Sequence, residues 1–449
     1  MIRLLLAKSI TLRTIRQRKP QIFVLSSFHQ ATIVKMPPKQ VVVGNGKRKA
    51  SPDPTTINGC SKKIKPNGSS DPLREPHPKT REAEENGIVL RTYYPHEMSN
   101  ARALAYNNDE LPRPIEELKS ALSEAQSERA KIEVKDAVVH WFKCDLRTKD
   151  NHALHLASEK AKSKGVPLIC MYIVSPQDFE AHLTAPVRVD LILRTLEVLK
   201  TDLSKLDIPL HVETVDKRKK IPGRIFELLE EWGASHLFAN VEYEVDELRR
   251  EAELVREFLG KGIAVDVLAD TCVVSPGELQ SGSGKQYAVY TPWYRQWVAE
   301  IHGKPTFLDL FDAPEKNPGD ARAKFSHIFE AKIPNAPENK KLSAEEKKRF
   351  QSMWPAGEEA AHERLGKFAK ERIGAYQARR NFPAETGTSS LSYHFACGSL
   401  SARTAVRTAR ELNSTKSLVS GNQGIQTWIS EIAWRDFYKH VLAHWPYVW

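Results

Sequence analysis

The sequence predicts a two-part protein, in which an α/β domain with a doubly wound parallel sheet precedes an all-α domain. Between residues 136 and 270, apolar β-branched runs alternate with helical segments, which is typical of a parallel sheet covered by helices. Residues 271–342 are rich in Pro, Gly and Asn, as expected of a linker. From residue 343 to residue 449 the apolar residues recur at helical spacing, which indicates a helical domain.

The first 35 residues have the composition of a mitochondrial transit peptide. They carry seven Lys or Arg, no Asp or Glu, and Leu and Ile interleaved with Ser and Thr. Met36 offers a second start, and a product that begins there would lack this segment. We therefore exclude residues 1–35 from the fold.

Residues 36–135 are expected to form a basic disordered tail and a linker that contains one charged helix, at about Pro114–Glu133. Two basic clusters, Lys47-Arg48-Lys49 and Lys62-Lys63-Ile64-Lys65, lie among Pro, Ser, Asn and Gly and are typical of a bipartite nuclear signal. A merely solvated basic tail explains either targeting element taken alone. The two elements together predict localisation to the nucleus and the mitochondrion.

Five strands and four helices are predicted in the α/β domain, because apolar runs there alternate with stretches of helical periodicity. The predicted strands are Ala137–Phe142, Pro167–Val174, Leu210–Val215, His236–Phe238 and Ile263–Leu268. The predicted helices are Asn151–Lys164, Val187–Leu206, Ile221–Trp232 and Glu244–Lys261. No GxGxxG fingerprint follows the first strand, where Lys143-Cys-Asp-Leu-Arg147 stands instead, and Gly282-Ser-Gly-Lys285 lacks the spacing of a P-loop. The Rossmann-like sheet is therefore not that of a dehydrogenase.

The net charge of +11 comes mainly from the start of the chain. Residues 1–80 carry 16 Lys or Arg and 3 Asp or Glu, which leaves a net charge of −2 on the rest. Residues 343–449 carry 15 basic and 10 acidic residues, so attraction for phosphate is expected in the helical domain. No apolar run is long enough for a membrane span, and the five cysteines show no zinc-binding or disulfide pattern. We expect a monomer with reduced thiols, without a metal and without a membrane partner.

A hydroxyl-rich turn precedes a predicted helix in the helical domain. After Gly387, which permits a close backbone approach, four hydroxyls fall within the five positions Thr388-Ser-Ser-Leu-Ser392. Unpaired N–H groups at a helix start favour an anion, and Arg379 and Arg380 lie just upstream. The turn suits a pyrophosphate, and an ordinary Ser/Thr helix cap is the alternative. A second such turn, Gly398-Ser-Leu-Ser401-Ala-Arg403, precedes the next predicted helix.

The stretch Trp428–Tyr438 is predicted to be a helix with an unusual second face. Its core face comprises Ile429, Ile432, Ala433, Phe437 and Val441. The second face carries Trp428, Glu431, Trp434, Arg435 and Tyr438, where solvated Lys and Glu would be expected. Two indoles, a phenol, a carboxylate and a guanidinium suit a flat aromatic guest. The alternative is packing on a neighbouring helix, with Glu431 and Arg435 paired at the surface.

In this order and spacing, the motifs resemble those of the DNA photolyase/cryptochrome family, and most closely the class I cyclobutane pyrimidine dimer (CPD) photolyases of fungi. The resemblance runs from about Val138 to the last residue. It rests on His140-Trp-Phe-Lys, Asp145-Leu-Arg and Asp150-Asn151 near the first strand, on the two hydroxyl-rich turns, and on the stretch Trp428–Tyr438. It implies that residues 136–270 form an antenna-binding α/β domain and that residues 343–449 begin a helical domain that binds FAD and DNA.

The resemblance implies the activity of a deoxyribodipyrimidine photo-lyase, a carbon–carbon lyase that splits CPDs in UV-damaged DNA by electron transfer from photoexcited reduced FAD. The second implied cofactor is an antenna, either 5,10-methenyltetrahydrofolate or 8-hydroxy-5-deazaflavin, with Asp246 and Glu247 at the folate-type position. The residues implied for FAD are Tyr376, Thr388, Ser389, Ser390, Leu391, Ser392 and Trp428. The implied catalytic residues are Glu431, which would hydrogen-bond a base of the dimer, and Trp434, which would stack on it. The residues implied for DNA are Arg380, Glu431, Trp434, Arg435 and Tyr438.

Glu431 poses an electrostatic problem in this role. An ionised carboxylate would repel the negative charge that develops on the base, so the side chain must donate a proton or a hydrogen bond. We therefore expect partial burial to raise the pKa of Glu431.

Two other functions are compatible with the sequence. A cryptochrome-type flavin photoreceptor would share the fold without repairing duplex DNA. Plant cryptochromes typically lack both the glutamate and the tryptophan found here at positions 431 and 434, which favours dimer repair, but DASH-type cryptochromes can retain both. A non-enzymatic α/β adaptor with a basic tail would bind no flavin.

The resemblance extends to the last residue of the chain, whereas members of the family continue well beyond the corresponding position. On this ground we expect a C-terminally truncated form, an inactive fragment or nearly so, which binds FAD poorly and repairs little.

Overall fold

The structure is a computed structural model that describes residues 100–282 and 284–448. The predicted transit peptide at residues 1–35, the two basic clusters and Cys60 lie outside the described residues. The other four cysteines, Cys144, Cys170, Cys272 and Cys397, are free thiols.

The chain alternates strands and helices up to residue 268 and is helical beyond it. The strands are β1 (Ala137–Phe142), β2 (Leu168–Val174), β3 (Leu210–Thr214), β4 (Ala234–Asn240) and β5 (Ala264–Leu268). The helices up to β5 are α1 (Asn100–Asn107), α2 (Pro114–Glu124), α3 (Gln126–Arg129), α4 (His152–Lys164), α5 (Pro176–Ala181), α6 (Pro186–Lys205), α7 (Ile221–Glu231) and α8 (Val245–Leu259). The helices after β5 are α9 (Tyr290–Gly303), α10 (Ala321–Lys324), α11 (Ser326–Glu330), α12 (Ala344–Met353), α13 (Glu358–Glu371), α14 (Tyr376–Arg379), α15 (Ser392–Cys397), α16 (Ala402–Leu412) and α17 (Gln423–His444). Short 3₁₀ turns occur at Arg218–Lys220, Pro305–Leu308, Glu338–Lys340, Ile373–Ala375 and Pro446–Val448.

The five strands form one parallel sheet in the order β3-β2-β1-β4-β5, which confirms the predicted α/β fold class. Strand β1 is central and buried along its whole length, because helices cover both faces of the sheet. Strand β4 is longer than the predicted His236–Phe238. Its Ser235 and Asn240 are polar yet fully buried, so the apolar run understated the strand.

The predicted charged helix is two helices, α2 and α3, with a break at Ala125. Arg129 accounts for the change of direction, because its guanidinium donates to the carbonyl oxygens of Leu122 at 3.1 Å and Val265 at 3.0 Å. These bonds tie α3 to strand β5. Local helical periodicity could not reveal this distant partner.

The stretch predicted as a linker, residues 271–342, contains the 14-residue helix α9. Its Trp293 and Trp297 are fully buried and pack in the same hydrophobic core as α13, α16 and α17. Part of the predicted linker thus belongs to the helical core. The domain limits themselves stay a prediction.

A buried charge network connects the sheet to the helical region. The Arg403 guanidinium donates to Asp150 at 3.0 Å and to Asp270 at 2.6 Å, and Arg147 also pairs with Asp270. Gly398 approaches so closely that a Cβ atom there would lie 2.1 Å from the carbonyl oxygen of Cys144. The second hydroxyl-rich turn, Gly398–Arg403, therefore joins the two regions, and it is not left open for an anion.

Candidate functional site

Helix α17 contains the stretch Trp428–Tyr438. The Asn422 side chain begins the helix by accepting hydrogen bonds from the backbone N–H groups of Gly424 at 2.9 Å and Ile425 at 3.1 Å. The predicted core residues Ile429, Ile432, Ala433 and Phe437 are buried, whereas the second face opens partly to a cleft.

The cleft, a cavity of about 460 Å³, lies between α17, the hydroxyl-rich turn and the carboxyl edge of the sheet. Six residues singled out from the sequence line it: Tyr376, Ser389, Ser392, Trp428, Glu431 and Arg435. Strand-end residues of the α/β region form the opposite wall: Cys144, Glu242, Tyr243, Glu244 and Thr271. Side chains distant in sequence thus converge on one concave surface.

The hydroxyl-rich turn is well shaped to receive polar oxygens. A Cβ atom at Gly387 would lie 2.7 Å from the Arg379 carbonyl oxygen, so only glycine permits this approach. Ser390 has a positive φ of 52°. Within the described residues, no hydrogen bond engages the hydroxyls of Thr388, Ser389, Ser390 and Ser392. Helix α15 is only six residues long, so the hydroxyls would contribute more to the binding of an anion than the helix dipole would.

Three of the residues implied for FAD differ in their placement. Leu391 is fully buried in the helical core, and the exposed Thr388 does not line the cleft. Trp428 is buried and packs against Phe368, with ring centroids 5.2 Å apart. Its indole thus forms a fixed part of the cleft wall.

Glu431 pairs with Arg380, and both side chains are only partly buried. A neighbouring guanidinium favours the ionised form of a carboxylate, which opposes the expected protonation of Glu431. The two side chains come from segments 51 residues apart, and the pair replaces the surface contact with Arg435 considered above. The raised pKa of Glu431 stays a prediction.

The other residues of the second face have different surroundings. Trp434 is half-buried and stacks on Tyr290, with ring centroids 3.5 Å apart and planes within 9°. Arg435 donates to the Thr271 carbonyl oxygen at 2.7 Å, which ties its guanidinium to the chain. Tyr438 is exposed. Trp434, Tyr438 and Arg380 do not line the cleft itself but flank the residues that do.

Two functionally relevant neighbours on α17 were missed from the sequence. Asp436 is fully buried and accepts hydrogen bonds from the Val273 N–H at 2.8 Å and the Trp297 indole at 3.3 Å. Burial raises the pKa of Asp436 to about 6. Buried His440 accepts from the Trp293 indole at 3.3 Å, and burial lowers its pKa to about 4. The only sequence signal for Asp436 and His440 was that each is a polar residue beside the predicted core face of the helix.

A second cavity, of about 310 Å³, lies on the α/β region at the carboxyl ends of β1, β2 and β4. Among its lining residues are Trp141, Lys143, Tyr172, His182, Glu247 and Arg250. Glu247 presents a buried carboxylate oxygen, Oε2, that has no hydrogen-bond partner in the described chain. Asp246 does not line the cavity but pairs with Arg218 at 2.8 Å. Oδ1 of Asp246 is also buried without a partner in the described chain, so the two residues predicted for the antenna differ only in that Glu247 lines the cavity.

Charges around Glu247 balance one another. Its carboxylate lies 3.0 Å from the His182 ring and 3.4 Å from the guanidinium groups of both Arg218 and Arg250. Burial opposes ionisation, but His182 and the two arginines hold the pKa of Glu247 well below its usual range. Burial would likewise lower the pKa of His182, but Glu247 outweighs it and raises that pKa to about 9.

The ligand atoms of Asp178, His182 and Glu247 are close enough together to hold a metal ion. Arg218 and Arg250 already contact both carboxylates, which makes a further cation unnecessary for charge balance. Among the described helices, none combines the length and the apolar character needed to cross a membrane.

The chain is similar to known proteins over most of its described length. Residues 138–315 match the family model described as DNA photolyase. A deoxyribodipyrimidine photo-lyase of Neurospora crassa is 60% identical over 420 residues, which cover 90% of this chain and 68% of that protein. A mitochondrial deoxyribodipyrimidine photo-lyase of Saccharomyces cerevisiae is 28% identical over 80% of this chain and 65% of its own length.

A solved structure, that of a class III photolyase from Agrobacterium tumefaciens, superposes with a TM-score of 0.55 at 26% identity. The superposition covers 69% of this chain and 59% of that protein. The chain thus spans between 59% and 68% of the length of these three relatives.

Proposed function

The chain belongs to the DNA photolyase family, and from that premise we propose that it acts in the light-dependent repair of CPDs as a carbon–carbon lyase. The convergence of Tyr376, Ser389, Ser392, Trp428 and Glu431 on one cleft carries this proposal. These residues come from separate parts of the helical region, and their types suit a flavin nucleotide beside a damaged base.

The cleft offers what a dinucleotide cofactor requires. The hydroxyls of Ser389 and Ser392, which line the cleft and have no partner within the described chain, would bind the phosphates and the ribityl chain; Ser390 belongs to the same turn but does not line the cleft. Tyr376 and Trp428 provide rigid aromatic walls, because both are buried. When bound, reduced FAD would supply the photoexcited electron that starts dimer splitting. The protein would contribute placement and electrostatics.

The outer rim of the cleft suits an extruded pyrimidine dimer. A damaged dimer must leave the duplex to reach a buried cofactor, and an aromatic surface helps to receive it. Trp434 and the exposed Tyr438 offer such a surface beside Glu431. Arg380 is held by Glu431, so a lesion that displaces this guanidinium would release it toward a DNA phosphate. The exchange would leave Glu431 free to hydrogen-bond a base.

The α/β cavity is proposed as the antenna site. A carboxylate can only accept hydrogen bonds, so the unpartnered Oε2 of Glu247 would take the N–H donors of a pterin ring. Both 5,10-methenyltetrahydrofolate and 8-hydroxy-5-deazaflavin carry a ring N–H, so this contact is compatible with either. The near-ultraviolet absorbance of the purified chain, reconstituted in turn with each compound, distinguishes the two.

The repair proposal is tested by blue-light loss of CPDs from UV-irradiated duplex DNA. Because the chain is expected to bind FAD weakly, reduced FAD is supplied in excess, and the full chain should then remove dimers, at a low yield, in the light and not in the dark. A cryptochrome-type photoreceptor, the alternative, would bind FAD and leave duplex dimers intact. An adaptor would bind no flavin. Dimer loss equal in light and darkness, or flavin binding without any loss, would contradict the proposal.

For location, we propose use of both targeting segments, one in residues 1–35 and one in the basic tail that follows Met36. The mitochondrial relative from yeast supports the first. Fluorescent fusions that begin at Met1 or at Met36 should enter mitochondria and nuclei, respectively. An identical distribution for both fusions would contradict dual targeting.

A further inference from the structure

Tyr290 is attached to helix α17 at two points. Its ring lies flat against Trp434, with centroids 3.5 Å apart and planes within 9°. Its hydroxyl lies 2.8 Å from both the carbonyl oxygen and the Oγ of Ser430, and donates to the carbonyl. Ser430 and Trp434 are one helical turn apart, so the phenol is fixed at its ring and at its tip by the same helix.

The helix that carries Tyr290 is itself firmly docked. Trp293 donates to His440 at 3.3 Å and Trp297 donates to Asp436 at 3.3 Å, and both indoles are fully buried. Successive turns of α9 therefore contact successive turns of α17. The backbone that carries Tyr290 is therefore held next to α17 by these buried contacts.

The stack leaves Trp434 suited to a guest. Tyr290 covers one face of the indole and Tyr438 lies 5.7 Å from it between ring centroids, and Trp434 nevertheless remains half-buried rather than enclosed. A side chain whose orientation is already fixed loses less conformational freedom when it binds a ligand. An indole that another ring already holds in place therefore stacks on a flat base at lower entropic cost than a freely rotating indole.

We propose that Tyr290 is a positioning residue for lesion recognition, which holds the Trp434 indole in the orientation that receives an extruded pyrimidine dimer. This inference rests on the repair function proposed above, because it assigns Trp434 to the dimer. A purely structural role would require only a side chain of similar volume. The stacking ring and the hydroxyl anchored to Ser430 go beyond that requirement.

The first test observes the indole without any substrate. The full chain is labelled with 5-fluorotryptophan, and the ¹⁹F NMR resonance of Trp434 is assigned from its loss in Trp434→Phe. Tyr290→Leu should shift and broaden this resonance, because the ring that fixes the indole is gone. Tyr290→Phe, which keeps the ring, should leave it close to its original position.

Tyr294→Leu is the matched control, because Tyr294 lies on the same helix and stacks on Tyr290 at 5.4 Å. It should leave the Trp434 resonance nearly unchanged. An unchanged Trp434 resonance in Tyr290→Leu would overturn the proposal, whether or not the chain binds damaged DNA.

The second test measures the affinity of the full chain for a duplex that contains one CPD and for the undamaged duplex. Loss of one aromatic stack should make Tyr290→Leu bind the CPD duplex about tenfold more weakly, and the undamaged duplex equally well. In a Trp434→Ala background, Tyr290→Leu should add less than about a twofold loss, because no indole is left to position.

Each result of the second test has a distinct meaning. An equal loss for both duplexes, or a tenfold loss that persists in the Trp434→Ala background, would overturn the positioning role. A parent chain with no preference for the CPD duplex would instead contradict the proposed repair function. The ¹⁹F resonances would then decide alone whether Tyr290 holds Trp434.

Discussion

The cavity of the α/β region and the cleft beside α17 differ in what lines them, although they share a wall. The α/β cavity is surrounded by buried charges, chiefly Glu247, His182, Arg218 and Arg250. The cleft beside α17 has hydroxyl groups, aromatic rings and two partly exposed ion pairs, Glu431 with Arg380 and Lys439 with Glu244. The residues that line both cavities are Cys144, Arg188, Glu242 and Glu244.

This difference separates two ways in which a site can be prepared for a ligand. In the α/β cavity, buried charges hold one another in place. Removal of one partner leaves the other charge buried and uncompensated, which lowers the stability of the fold. The hydroxyls of the cleft lack partners within the described residues, and their loss should be felt mainly in binding. We therefore expect substitutions at the first site to change unfolding and those at the second to change affinity or repair.

The largest effect is expected from Arg218→Met. This residue neutralises Asp178, Asp246 and Glu247, and its removal leaves buried carboxylates short of a partner. The free energy of unfolding should fall by about 3–5 kcal/mol, measured by urea denaturation. Arg224→Met is the matched control, because that arginine pairs with Glu213 and Glu227 nearer the surface, and it should cost about 1 kcal/mol or less. Equal losses in the two variants would erase the proposed distinction.

A smaller effect with a defined pH window is expected from His182→Gln. The folded pKa of His182 is raised to about 9 from an ordinary value of 6.5. The stabilisation by its charged form is therefore complete below about pH 6.5 and is lost as the pH rises through about 9. The variant should be less stable than the parent by about 2–3 kcal/mol at pH 6 and nearly equal to it at pH 10. The measurement is urea denaturation at both pH values, with the exposed His327→Gln as control. The same difference in free energy of unfolding between parent and His182→Gln at pH 6 and pH 10 would contradict this prediction.

The smallest effect is expected at the cleft, from Glu431. Glu431→Gln retains a hydrogen-bond donor and should keep most of the light-dependent repair, whereas Glu431→Ala should repair about tenfold less. Neither substitution should change the free energy of unfolding by more than about 1 kcal/mol, because the pair with Arg380 is partly exposed. Repair yields are measured as CPDs lost per absorbed photon. Equal yields for the parent and both variants would remove Glu431 from the chemistry.

The fold was largely predictable because its signals are local. Strand β1 and helix α4 follow from apolar alternation and helical periodicity, and their observed limits agree with the prediction to within one residue. The order of the strands and the contacts between helices depend on residues far apart in the chain. Helix α9 illustrates this, since its buried Trp293 and Trp297 lie in a region whose Pro and Gly content predicted only a linker.

Several residues that line the candidate cleft were predictable from the sequence, but their pairings were not. The sequence identified Tyr376, Ser392 and Trp428, which line one cleft. It could not show that Glu431 pairs with Arg380 or that Tyr290 stacks on Trp434, because the partners are 51 and more than 100 residues apart. Such contacts arise from packing between helices, and periodicity within one helix carries no information about them.

The central claim is that the cleft beside α17 holds FAD through its hydroxyl-rich turn, and Ser392→Asp tests it most directly. An acidic residue at the start of α15 is compatible with the helix but repels the cofactor phosphates. Equilibrium dialysis of FAD against the full chain should show saturable binding, weakened about tenfold or more by Ser392→Asp. Ser352→Asp, on the exposed surface of α12, should leave the affinity unchanged. The same FAD affinity in all three proteins, or no saturable binding to the parent chain, would contradict the account.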